Sequence, residues 1–101
     1  ASGSTAYTGM GFQATGLIIF CADDDEALAS WGFGDDAAGE MLIRITTSAL
    51  AADDLNRIVN VTSAGDAQQA TLTTLDSDGF TLSWTRVANG EDADCVAMGL
   101  R

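Results

Sequence analysis

From Phe80 to Thr85 apolar and hydroxylated residues alternate one for one: Phe80, Leu82 and Trp84 against Thr81, Ser83 and Thr85. A period of two suits a strand with one face buried and the other in water; a helix would repeat its apolar positions every three or four residues. Just before it, Ala70, Leu72 and Thr74 alternate with Thr71, Thr73 and Leu75, and Asp76-Ser77-Asp78-Gly79 has the composition of a tight turn, so the two stretches read as a hairpin. Asn89-Gly90 marks another turn, followed by a strand over Cys95–Leu100 with Val96, Met98 and Leu100 on one face. Gly16–Ala22 is an unbroken apolar run, as expected of a central strand covered on both faces. Met41–Thr47 and Arg57–Val61 are shorter candidates rich in β-branched residues, and Ala27–Phe33 is a seventh. Ala49–Leu55 is rich in alanine, and Asp53-Asp54-Leu55-Asn56 reads as a loop or a single helical turn.

Turn signals every eight to twelve residues point to an all-β chain: an antiparallel β-sandwich of six to eight strands, one domain over residues 10–101. Its expected core is Leu17, Ile19, Ile43, Val59, Leu72, Phe80, Leu82, Trp84, Val96 and Met98. Residues 1–9 are mostly Ser, Thr, Gly and Ala, with little to bury, and read as a flexible arm. A chain of 101 residues has room for one core of this kind.

Charge narrows the partners. Fifteen carboxylates face four arginines, Arg44, Arg57, Arg86 and Arg101, for a net charge of -11. Nucleic-acid binding needs clustered cations that displace counterions, so no nucleic-acid partner is expected. No apolar run approaches the roughly twenty residues of a membrane-spanning helix, and none is expected. The first residues have neither the basic nor the apolar part of a secretory signal, and Ala1 reads as what remains after removal of an initiator Met.

Chemistry is hard to assemble from this inventory. With no His and no Lys, the usual bases for a Ser or Cys nucleophile are missing, and the chain reads as non-enzymatic, with no cofactor and no metal. Asp23-Asp24-Asp25-Glu26 is the densest charge cluster; it reads as a solvated loop rather than a calcium site, because consecutive acids after a strand point in alternating directions. Asp76-Ser77-Asp78-Gly79 lacks the distal Glu of a calcium loop, and the glycosylation triplet Asn60-Val61-Thr62 is given no weight. Cys21 and Cys95 fit no zinc or redox spacing and read as buried free thiols, a disulfide being the alternative. Trp84 belongs to the core by its alternation, while Trp31, beside Gly32-Phe33-Gly34, is open to either a core or a binding role.

Taken in order, Thr8-Gly9 through Gly11-Phe12-Gln13, then Gly16-Leu17-Ile18-Ile19-Phe20, Trp31-Gly32-Phe33-Gly34, Leu75 through Leu82, and Val96-Ala97-Met98-Gly99-Leu100 resemble a family of small domains in structural proteins of tailed-bacteriophage particles. Ala14 and Thr15 stand where such domains usually have Pro and Lys, and Asp35 and Asp36 where they often have Arg, so no contact surface is carried over. The resemblance implies a virion component without a catalytic motif: a capsid decoration (cement) protein, or a tail-associated one. Decoration of the outer capsid, after assembly in the host cytoplasm, suits the acidity, which would oppose packing against DNA inside. The implied partner is the major capsid protein, with many copies or self-association on the particle. Residues expected at the contact are the arm, Ala1, Ser2, Gly3, Ser4, Thr5, Ala6 and Tyr7, adding a strand to a neighbour's sheet, and the acids Asp23, Asp24, Asp25 and Glu26 as rim charges. The other reading is a lectin-like sandwich holding a sugar between Trp31, Tyr7 and the loop Asp23 to Glu26.

Overall fold

A computed structural model describes residues 2–23, 28–35, 40–45, 50–52, 57–63, 65–89 and 93–101. They form nine strands and no helix: β1 (Gly3–Thr8), β2 (Gly16–Ala22), β3 (Ala29–Gly34), β4 (Glu40–Ile45), β5 (Leu50–Ala52), β6 (Val59–Ser63), β7 (Asp66–Asp76), β8 (Gly79–Val87) and β9 (Asp94–Leu100). Two antiparallel sheets result, a four-stranded one in the order β1-β8-β7-β6 and a five-stranded one in the order β5-β4-β3-β2-β9. The sheets pack face to face around Leu17, Ile19 and Cys21 of β2, Val59 and Val61 of β6, Ala70 and Leu72 of β7 and Phe80 and Leu82 of β8. The β-sandwich is therefore the fold, with one strand more than the upper expected number.

The hairpin forms as the alternation requires. Phe80 and Leu82 point into the core and Trp84 packs half-buried against it, while Thr81, Ser83 and Thr85 pair across the outer face with Thr74, Thr71 and Gln69. A bulge between Leu72 and Thr74 breaks the strict alternation of β7. The extra residue shifts the phase, so Leu72 pairs with Leu82 and Leu75 with Phe80, and both leucines turn inward.

One expectation for the chain's local structure is corrected, and one strand is added to it. Residues 3–8 are not a loose arm: they pair along their whole length with β8, from Gly3 opposite Trp84 to Thr8 opposite Gly79. The composition left them nothing to bury, and all six are exposed, but backbone pairing needs no side chain. Residues 50–52 form a short edge strand on β4, which the alanine-rich composition does not announce; Asp53 to Asn56, where a loop or helical turn is expected, lie outside the described residues.

The segment leaving β1 is fastened by the β7–β8 turn. The carboxylate of Asp78 accepts the N–H groups of Gly9 (3.1 Å) and Gly11 (2.7 Å), and its carbonyl accepts that of Met10 (3.0 Å). Gly9 and Gly11 have φ of 95° and 86°, a region only glycine enters without strain, which lets both amides face one side chain.

Cys21 and Cys95 are not free thiols. They sit directly opposite each other in the β2–β9 ladder, Cα atoms 4.1 Å apart, and form a disulfide. The pairing joins residues 74 apart in sequence, and the register that brings them together is set by the whole sheet rather than by either strand's own pattern.

Candidate interaction surface

In β3 the usual sense of alternation is reversed. Ser30, Gly32 and Gly34 face inward and are buried, whereas Trp31 and Phe33 face out. The inner space is already taken: β6 and the residue before it lie so close that a Cβ on Gly32 would stand 1.7 Å from the carbonyl oxygen of Ile58. Ser30 accepts the Asn60 N–H at 3.3 Å across the same seam. With no volume left inside, the large residues of β3 occupy the other face.

Strand β9 repeats the reversal. Cys95, Ala97 and Gly99 point toward the other sheet, and Val96 and Met98 point away. Ile43 of β4, opposite Trp31, lies on the same outer face. Three expected core residues, Ile43, Val96 and Met98, are thus exposed, at 38%, 71% and 56%. For Val96 and Met98 the reason is that of β3: their strand has small residues, Cys95, Ala97 and Gly99, at its inward positions.

The register assembles these positions into two rows across the sheet. Val96, Phe20, Trp31 and Ile43 form one, and Met98, Ile18 and Phe33 the next. Phe20 and Trp31 meet edge to face, ring centroids 5.8 Å apart at 84°. Taking about 200 Å² for a fully exposed large side chain, Phe20, Trp31, Phe33, Ile43, Val96 and Met98 together present roughly 600 Å² of apolar surface. That is at the upper end of the largest apolar patch on an ordinary monomer, about 300–600 Å². The outer face of the other sheet is different in kind, carrying Ser4, Ser83, Thr71, Thr81 and Thr85.

The open edge between β1, β8 and β9 holds a second feature. Tyr7 stacks on Phe80 with centroids 5.1 Å apart, and its hydroxyl accepts the indole N–H of Trp84 at 2.9 Å. Beneath them is an apolar cleft of about 270 Å³ bounded by Ile19, Leu82, Cys95 and Ala97.

The structure distributes the sequence-predicted contact residues rather than gathering them. Gly3 to Tyr7 are spent on pairing with β8, and the Ser2 hydroxyl accepts the Arg86 N–H at 3.0 Å. Asp23 is buried at 9% exposure, with its N–H on the Leu28 carbonyl at 3.1 Å, and so is no rim charge. Ala1, Asp24, Asp25 and Glu26 lie outside the described residues. Trp31 and Tyr7 do not converge on one ligand: Trp31 is on the outer face of the five-stranded sheet and Tyr7 lies on the far side of that sheet, stacked on Phe80. Asn60 of the glycosylation triplet is buried at 4% exposure.

Among the described residues no group of three His, Cys, Asp or Glu side chains is placed to hold a metal ion. One carboxylate, Asp76, is held below the ordinary carboxylate pKa by the hydroxyls of Thr74 and Thr81, which donate to it at 2.6 and 2.7 Å. It closes the β7–β8 hairpin. No family model matches the chain, and neither a curated protein nor a solved structure matches it.

The apolar face is not apparent from apolar character alone, which puts Val96 and Met98 on the buried side of their strand and leaves Trp31 open between core and binding. A signal did exist: Ser30-Trp31-Gly32-Phe33-Gly34 and Cys95-Val96-Ala97-Met98-Gly99 alternate large with small, not apolar with polar. A strand with glycine on one side has its bulk on the other, wherever the core is.

Proposed function

We propose that this chain is a non-enzymatic structural module of a bacteriophage particle, a decoration protein carried in many copies on the outer capsid surface with the major capsid protein as partner. The observation that supports it best is the apolar outer face of the five-stranded sheet, a surface suited to standing contact with protein. The collinear resemblance points to the particle, and the net charge of -11 to its outside, away from packaged DNA. The Cys21–Cys95 bond fits a protein whose working life is spent after release from a reducing cytoplasm.

Quantitative mass spectrometry of purified particles of the encoding phage tests the reading. Copy number comparable to that of the major capsid protein is expected. A few copies per particle would move the chain to the tail, and absence from the particle would end the proposal.

A further inference from the structure

The apolar face needs an occupant, and we infer that it is the same face of a second copy of this chain. The inference names the partner at the surface on which the proposed function rests. Three observations favour a copy over a different protein.

The first is area. Roughly 600 Å² from six side chains, before the smaller residues around them are counted, approaches the roughly 800 Å² per partner that a stable interface of standard size buries. The second is composition. Along the described rows Ile18, Phe20, Ala22, Ala29, Trp31, Phe33, Ile43, Val96 and Met98 are apolar, and Asp94, at the start of β9, is the charged residue. Interfaces between identical subunits are more apolar than those between proteins that also live apart.

The third is where the charge lies. Apart from the buried Asp23 and from Asp94 at the rim of this face, the carboxylates with described side chains stand at strand ends and turns on other parts of the molecule: Asp66 at the start of β7, Asp76 and Asp78 at the β7–β8 turn, Asp35 just after β3. A basic partner would find most of its complement there, this face offering Asp94 among the described side chains. Two copies meeting face to face keep these acids at the periphery, where salt screens their repulsion over about 8 Å. The contact is isologous, Trp31 and Phe20 of each copy lying near the axis, and two flat twisted sheets stack with strands about 30° apart.

Sedimentation equilibrium of the full chain at pH 7, at low and high sodium chloride, tests the assignment. A dimer is expected that tightens as salt rises, because screening relieves repulsion between two chains of net charge -11 while the contact itself is apolar. Val96→Asp and Met98→Glu, both on exposed positions and checked for folding by far-ultraviolet circular dichroism, should each weaken the dimer about 100-fold, since the buried charge appears twice. Thr85→Asp, on the hydroxylated face of the other sheet, should leave it unchanged. A monomer at every concentration, a dimer indifferent to Val96→Asp and Met98→Glu, or a dimer that weakens with salt overturns the inference. If the chain is monomeric and Val96→Asp also abolishes its presence on particles, the face serves a different protein and the proposed function stands. If neither dimer nor particle binding depends on the face, both fall.

Discussion

Single residues in this protein act through what they leave room for. Leu82 is 1% exposed at the centre of the sandwich, and Leu82→Ala should cost about 2–5 kcal/mol through lost burial and the cavity left behind; urea unfolding followed by tryptophan fluorescence measures it. A destabilisation under half a kilocalorie would mean that β8 does not bury its apolar face. Gly32 is the opposite case, a residue whose value is the absence of a side chain. Because the nearest atom to an added Cβ is the Ile58 backbone carbonyl, which cannot swing away, Gly32→Ala must push the sheets apart and should cost about 3 kcal/mol or more. Asp76 supplies a pH dependence whose sign is fixed by its bonds. Its pKa is lowered in the folded chain by Thr74 and Thr81, so its contribution is present above the ordinary carboxylate pKa and disappears as pH falls through the lowered value. Thr81→Val should flatten the loss of stability in that acid range while altering stability at pH 7 little beyond the lost hydrogen bond; an unchanged acid limb would show that the hydroxyls do not hold the charge.

At the scale of elements, β9 depends on a covalent tie. It is an edge strand, mostly exposed, with Val96 and Met98 directed away from the core, so packing alone gives it little reason to stay. The Cys21–Cys95 bond closes a separation of 74 residues, for which chain entropy predicts about 4 kcal/mol of stabilisation. Reduction should therefore raise amide exchange in β9 first, ahead of β7 and β8, and lower the thermal midpoint; uniform exchange across both sheets would place β9 in the cooperative core after all. Alternation made the β7–β8 hairpin legible from the sequence, and the runs at Gly16–Ala22 and Cys95–Leu100 showed where β2 and β9 would form. What stayed hidden was relational. Which side of β3 faces inward depends on the chain at Ile58 and β6 occupying the space over Gly32, and the disulfide depends on a register between strands far apart in the chain. β1 was hidden for another reason, since an exposed edge strand held by backbone bonds leaves no apolar pattern to read. Of the expected contact residues, those of β1 were placed by their poverty of side chains and the acids by their density, and neither criterion detects a face built from alternating large and small residues.

At the scale of the whole molecule, two opposed features decide how copies behave toward one another. An apolar face draws them together, and fifteen carboxylates against four arginines keep them apart at pH 7. The balance shifts with acid because only one side titrates: the face is unchanged by protonation, while net charge passes through zero near the isoelectric point of about 4.1. Contacts limited to paired faces at neutral pH should then spread to non-specific association, and light scattering should rise to a maximum near pH 4 and fall again at lower pH as the arginines leave the chain cationic. Far-ultraviolet circular dichroism along the same titration separates association of folded chains from unfolding, because the β signal persists through the maximum if the sandwich is intact. Val96→Asp removes part of the attraction and adds one carboxylate, so its scattering maximum should be smaller at equal concentration. Equal maxima for the two proteins would show that charge neutralisation alone drives the association and that the outer face of the five-stranded sheet has no part in it.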